Sequence, residues 1–303
     1  MPKLEQEATL TRSSQSLGTK ETFFYLAMLL NLGEKMETLN QIAAFAGTKA
    51  FQALNDRGIT AADWKTAFGV ELAALADWPS NTHWPSFLVM LPVRDSAKAG
   101  KILDALLRSD EERGWVQTEK EGVRYVSKQS VASFVAITPT IALSDRMLIA
   151  GLNPVSVKEA SKRSAVGSSE LADFPTYKAA AGLLHPPTDF FAYIDTALLY
   201  SRLDASLRPM LLMAAAFVPT VAASIDPGKI PAAEVITKHL SPIVSSQRYD
   251  GDGYIAESIG PITLDQLGIG VAMLSGFGAA ARQTGWSPAP AATPPGSNPS
   301  PTP

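Results

Sequence analysis

Apolar positions in this chain fall into short runs, each stopped by an Asn or Asp and followed by a stretch with helical spacing. The pattern occurs four times. T-F-F-Y-L-A-M-L-L leads to Asn31, and the segment after it places Met36, Leu39, Ala43 and Ala46 on one stripe. F-L-V-M-L-P-V-R leads to Asp95, ahead of Ile102, Leu103, Leu106 and Leu107. R-M-L-I-A-G-L leads to Asn153 and Pro154, and F-F-A-Y-I leads to Asp195 and T-A-L-L-Y-S-R-L. Apolar residues at i, i+3 and i+4 predict a helix after each strand. The Asn or Asp is the expected N-cap. Its side-chain oxygen accepts a first-turn amide that has no partner inside the helix, and proline suits the next position.

Hairpin signals lie between these units. W-V-Q-T-E-K and V-R-Y-V-S-K flank Glu121-Gly122, and I-V-S-S-Q-R-Y and Y-I-A-E-S-I flank D-G-D-G at 250–253. V-A-S-F-V-A-I and T-I-A-L-S read as two further strands broken by Pro139. Thr60 with Asp63 makes a capping arrangement before Trp64 and Phe68. Pro231 opens a short helical segment in which His239 falls on the apolar side. The sum predicts an α+β fold: a largely antiparallel sheet with interleaved helices and repeated strand–cap–helix units. It occupies residues 20–262, as one globular region or two subdomains. Residues 1–19 are expected to be a linker or disordered, 263–285 a Gly-rich apolar segment, and 286–303 a disordered Pro-rich tail with seven prolines.

Composition narrows the chemistry. Hydrophobic residues make up 46%, enough for a core. A net charge of -3 speaks against a nucleic-acid partner. With no cysteine there is no disulfide, thiolate nucleophile or Cys-ligated metal. No P-loop, H-E-x-x-H, G-x-S-x-G or S-x-x-K occurs. G-I-G-V-A-M at 268–273 lacks the third glycine of a dinucleotide fingerprint. D-G-D-G has Tyr254 and Pro261 where a calcium loop needs oxygen ligands. His83, His185 and His239 are far apart in sequence. No catalytic residue, cofactor or metal is therefore expected. The candidate surface is D-W-P-S-N-T-H-W-P at 77–85, where Trp78, His83 and Trp84 are able to form an aromatic shelf for a peptide or sugar. Against this, both tryptophans could fold back onto the core.

Two uncharged stretches bear on membranes. Met210 to Ile225 is interrupted by Pro219 and is expected to be a buried helix. Gln266 to Ala281 is a candidate C-terminal anchor, short for a span and holding four glycines.

The segments G-I-T-A-A-D-W and F-G-V-E-L-A (58–73), F-L-V-M-L-P-V-R-D (87–95), L-I-A-G-L (148–152) and F-F-A-Y-I-D (190–195) together resemble a bacterial family defined only as a domain of unknown function, often in envelope-associated proteins. The resemblance spans roughly 20–262 and carries no active-site residues. It implies a longer chain with an N-terminal signal or anchor, whereas the first 20 residues hold no apolar signal core. The expected location is then the periplasm or envelope if an upstream signal has been lost, and otherwise the cytoplasm. The expected function is a non-catalytic binding or scaffolding domain whose partner is a protein or envelope component. The alternatives are an enzyme with a dispersed, motif-free site and a cytoplasmic adaptor using the Pro-rich tail.

Overall fold

A strand that alternates apolar residues can bury one face, and a sheet with both faces apolar needs two covering layers. The computed structural model shows that arrangement. It describes residues 9–29, 56–108, 114–128, 137–167, 169–217 and 229–262. All of them belong to the unit Met1–Thr263, and the second unit, Leu264–Pro303, lies outside the described residues. So do Asn31 and the helical segment after it, most of V-A-S-F-V-A-I, Gln266 to Ala281 and the Pro-rich tail.

Among the described residues ten strands form one sheet in the order β10-β9-β8-β1-β2-β3-β7-β6-β5-β4. They are β1 (Thr22–Leu29), β2 (Glu71–Asp77), β3 (Ser86–Pro92), β4 (Trp115–Lys120), β5 (Val123–Lys128), β6 (Thr140–Leu143), β7 (Met147–Gly151), β8 (Phe190–Ile194), β9 (Ile243–Tyr249) and β10 (Tyr254–Ile259). Every pairing is antiparallel. Among the described residues seven helices interleave: α1 (Ala61–Ala67), α2 (Ser96–Arg108), α3 (Pro154–Val166), α4 (Glu170–Asp173), α5 (Pro175–Ala181), α6 (Thr196–Phe217) and α7 (Ala233–Thr237). A 3-10 turn, Ser13–Leu17, precedes β1. The α+β class expected from the pattern is the one found.

The caps follow the sequence pattern within the described residues. The Asp95 carboxylate accepts from the Lys98 amide at 3.0 Å, Asn153 Oδ1 from Val155 at 2.8 Å, and Asp195 Oδ1 from Leu198 at 2.9 Å. Thr60 and Asp63 form a reciprocal capping box. Glu121 and Gly122 both take positive φ, 57° and 73°, as a two-residue hairpin turn of the primed kind requires. Asp250 Oδ1 accepts from the amides of Asp252 and Gly253, which makes D-G-D-G a turn.

One sheet face carries Tyr25, Ala27, Leu75, Leu88, Met90, Ile149 and Phe191, packed under the 3-10 turn, α3, α4 and α5 through Leu17, Val157, Ala160, Leu171 and Tyr177. The other face holds two clusters. Trp64 and Phe68, at α1 and its C-cap, and Ile102 and Leu103 of α2 cover Leu91, Val126 and Leu143. Leu198 and Leu199 of α6 cover Phe23, Ala76 and Trp78. A register shift between Thr22 and Phe24 is the β-bulge that lets Phe23 and Phe24 reach the same cluster. Between the two clusters, Phe87 and Val89 of β3 remain exposed.

Three expectations are corrected. Residues 9–19, read as part of a linker, are strapped to the sheet. Leu10 and Leu17 are buried, and the buried Glu71 carboxylate accepts from Thr11 N and Oγ1, Arg12 N and Ser14 Oγ. Met210 onward is not a separate buried helix: α6 runs unbroken through Pro209 to Phe217, and none of its residues is buried. His239 is exposed in the turn after α7 rather than packed on its apolar side, because the helix ends at Thr237.

Candidate functional site

The connection between β2 and β3 separates the two tryptophans. Trp78 continues the two-residue alternation of β2 from Leu72 through Ala76, so its ring enters the cluster under α6 and is only 3% exposed. Its ring lies 6.0 Å from that of Phe23, and Nε1 donates to the Thr82 carbonyl at 3.3 Å. Trp78 is therefore a core residue and is not available to a surface ligand. Pro79 breaks the strand parity, Thr82 folds back on the Pro79 carbonyl, and Trp84 emerges 57% exposed.

The loop is held from behind by α6. Arg202 Nε donates to the Trp78 carbonyl at 2.8 Å, and its other guanidinium nitrogen pairs with Glu21 at 2.5 Å. Ser206 Oγ donates to the His83 carbonyl at 3.2 Å. Fixing a loop by its carbonyls leaves its side chains free to face solvent, as His83 and Trp84 do.

In front of the loop is an open groove of about 690 Å³. Phe87, Ile137 and Leu152, all exposed, supply its apolar floor, and Trp84 with Pro79 and Pro85 forms one wall. Asn81, Asn153 and Ser156 supply polar edges. That volume lies in the range of small-ligand sites, about 300–1,000 Å³. The Phe87 ring is itself propped edge-on against Phe23 at 6.5 Å, so the floor is continuous with the core. No family model, curated protein or solved structure matches this chain. The site therefore rests on its own geometry.

Few ionisable side chains face the groove. His83 is the only Asp, Glu, Lys, Arg or His among the described lining residues. Ser86 Oγ donates to the Asp77 carbonyl at 3.4 Å, and Asn153 Oδ1 is occupied as the cap of α3. The three histidines lie on separate parts of the fold, and His185 pairs through Nδ1 with Glu257 at 2.7 Å. Among the described residues no group of His, Asp and Glu is arranged to hold a metal.

Four groups raised chiefly by burial lie elsewhere, in the core. Burial raises the Tyr25 hydroxyl above the ordinary tyrosine range, although Ser14 Oγ at 3.0 Å opposes it. Burial pushes Tyr177 up to about 12 against the pull of Arg12. Tyr193 is raised by burial and then by the charge of Asp195. Asp77 is raised by burial, which outweighs Thr22 at 2.5 Å and Arg163 at 3.4 Å. These groups tie the N-terminal strap, β1, β2 and β8 together, and none lines the groove. A second concavity, of about 370 Å³, lies beside α2, where Arg124 pairs with Asp104 and also donates to Gln117 at 2.9 Å. Lys101, Glu119 and Asp145 complete its charged lining.

Sequence reasoning located the β2–β3 loop but missed Phe87, Ile137 and Leu152. The available signal was Phe87, the second residue of β3, which has the opposite parity to the buried Leu88 and Met90.

Proposed function

We propose that this chain is a non-catalytic binding domain of the bacterial envelope, which holds an extended polypeptide segment with apolar side chains in the groove beside Trp84. The observation that carries the reading is an exposed Trp on an apolar floor with no acid–base pair around it. Large rigid aromatics at the edge of a groove supply contact area at low conformational cost and dominate such interfaces. The groove is open along the surface rather than closed, which suits a chain passing through. Asn81 and Ser156 offer partners for its amides. The envelope setting is supported by the resemblance carried by residues 58–73, 87–95, 148–152 and 190–195.

An arrayed library of twelve-residue peptides, read by fluorescence with the natural chain, tests the reading. Peptides with aromatic or branched apolar residues should be retained. Trp84→Ala should weaken the best of them by about 30-fold, the loss of one ~2 kcal/mol hot spot. Binding that survives both Trp84→Ala and Leu152→Asp would refute the groove, and cleavage of a bound peptide would refute the non-catalytic role.

A further inference from the structure

The groove beside Trp84 is uneven in the hydrogen bonds it leaves open to a ligand. Phe87 of β3 and Leu152, next after β7, lie on its floor. Neither strand is an edge: β3 pairs with β2 and β7, and β7 with β3 and β6. A ligand strand therefore finds no free backbone there to pair with. Many acceptors around the groove are also committed inside the fold. The Pro79 carbonyl takes the amide and hydroxyl of Thr82, and the Thr82 carbonyl takes Trp78 Nε1. The carbonyls of His83, Leu152 and Asn153 take Ser206 Oγ, the Thr138 amide and the Val157 amide.

Donors remain. Trp84 Nε1, which only donates, has no partner among the described residues, and neither do the side chains of Asn81 and Ser156. Asn153 keeps its amide nitrogen as a donor, its oxygen being held by the Val155 amide. Asn81, Ser156 and a neutral His83 ring each offer a donor and an acceptor, so the balance of open groups lies with N–H and O–H. The ligand that suits such a surface brings carbonyl oxygens and few N–H groups, because an N–H covered on the apolar floor without an acceptor costs free energy. A sugar hydroxyl is a donor as well as an acceptor, and most residues of a peptide bring one N–H for each carbonyl. Proline brings the carbonyl alone.

We propose that the occupant of the groove is a proline-rich segment of a partner protein, in the polyproline II conformation, with apolar anchors on Phe87 and Leu152 and carbonyls toward Trp84 Nε1 and the two asparagines. The inference rests on the reading of the groove as a polypeptide site and adds the class of backbone it accepts. Polyproline II has no internal hydrogen bonds, so its carbonyls are open to the donors of the groove. Its conformation is set before binding, which lowers the ordering cost. With three residues per turn, anchors separated by two prolines fall on one edge of the segment.

Fluorescence anisotropy of the full chain with three labelled twelve-residue probes tests it. All carry leucine at every third position, and the positions between hold proline in the first, alanine in the second and N-methylalanine in the third. The proline probe should bind at least about tenfold more tightly than the alanine probe, whose extra N–H groups lack acceptors in the groove. The N-methylalanine probe, which also lacks those N–H groups, should recover part of the difference. Asn81→Asp replaces a donor with an acceptor and should weaken the proline probe about fivefold, one hydrogen bond, while weakening the alanine probe less. Melting curves establish that the variant is folded. An alanine probe that binds as tightly as the proline probe would overturn the proposal and leave the groove a polypeptide site, as would an unchanged ratio of the two in Asn81→Asp. Binding by none of the three would overturn both. Residues 286–303 of this chain are themselves Pro-rich. A proline probe that binds P294S/P295S more tightly than the natural chain would assign the groove to them instead of a partner.

Discussion

Replacing Asp195 with alanine should be among the costliest single changes outside the apolar core. The residue joins β8 to α6 and is 5% exposed. Oδ1 accepts from the Leu198 amide at 2.9 Å, and Oδ2 accepts from the buried Tyr193 hydroxyl at 3.2 Å. Loss of an N-cap costs about 1 kcal/mol. A buried hydroxyl left without its partner costs about 1–3 kcal/mol. Removing a buried carboxylate gives back part of this, so the net loss should be about 2 kcal/mol. In a domain of this size 1 kcal/mol moves Tm by about 2–4 °C, so Asp195→Ala should melt about 4–8 °C lower. Asp195→Asn keeps an acceptor for Leu198 and a polar group for Tyr193, and should recover most of the loss. Calorimetry of both variants, with guanidinium titrations to confirm a single transition, gives the comparison. An alanine variant that melts within a degree of the natural chain would refute the reasoning. So would an asparagine variant as damaged as the alanine one, because the loss would then follow the charge and not the hydrogen bonds.

Two further outcomes follow from the core. Burial raises the Asp77 carboxyl, so the folded chain holds that proton more tightly than the unfolded chain and this part of the stability falls as pH rises through the acid range. The advantage of Asp77→Asn over the natural chain should therefore grow from pH 4 to 7 in urea titrations, and a difference independent of pH would contradict the assignment. A Cβ at Gly151 would meet Leu88 Cδ2 and Val157 Cγ2 at 2.8 Å. Gly151→Ala should cost about 1–3 kcal/mol by overpacking, and combination with Leu88→Ala should cost less than the two losses added.

Features set by neighbouring residues were legible in the sequence. Asp95, Asn153 and Asp195 cap their helices because a side chain need reach only two or three residues ahead. The Glu121-Gly122 turn was readable for the same reason. Long-range pairing was not. β1 lies between β2 and β8, with Phe24 opposite Ile194, and an antiparallel partner so far along the chain leaves no periodic trace. The site divided in the same way. Both tryptophans precede proline, yet Trp78 keeps the parity of β2 and is buried while Trp84 follows a parity break and is exposed. Hydropathy misled at α6, since an uncharged run looks alike whether it is covered by protein or left bare.

The sheet order also bears on how the chain is made. β1 is the first of these ten strands to leave the ribosome, and all six strands on its β2 side, out to β4, are complete once Gly151 has been added. Its other neighbour, β8, ends at Ile194, 43 residues later. At about 5–20 residues per second that is about 2–9 s of synthesis with one edge of T-F-F-Y-L-A-M-L unpaired. An open apolar edge invites pairing with another nascent chain. Refolding from denaturant imposes no such order, because β8 is present from the start. Material made on the ribosome and material refolded in a tube thus pass through different exposed edges on the way to the same sheet.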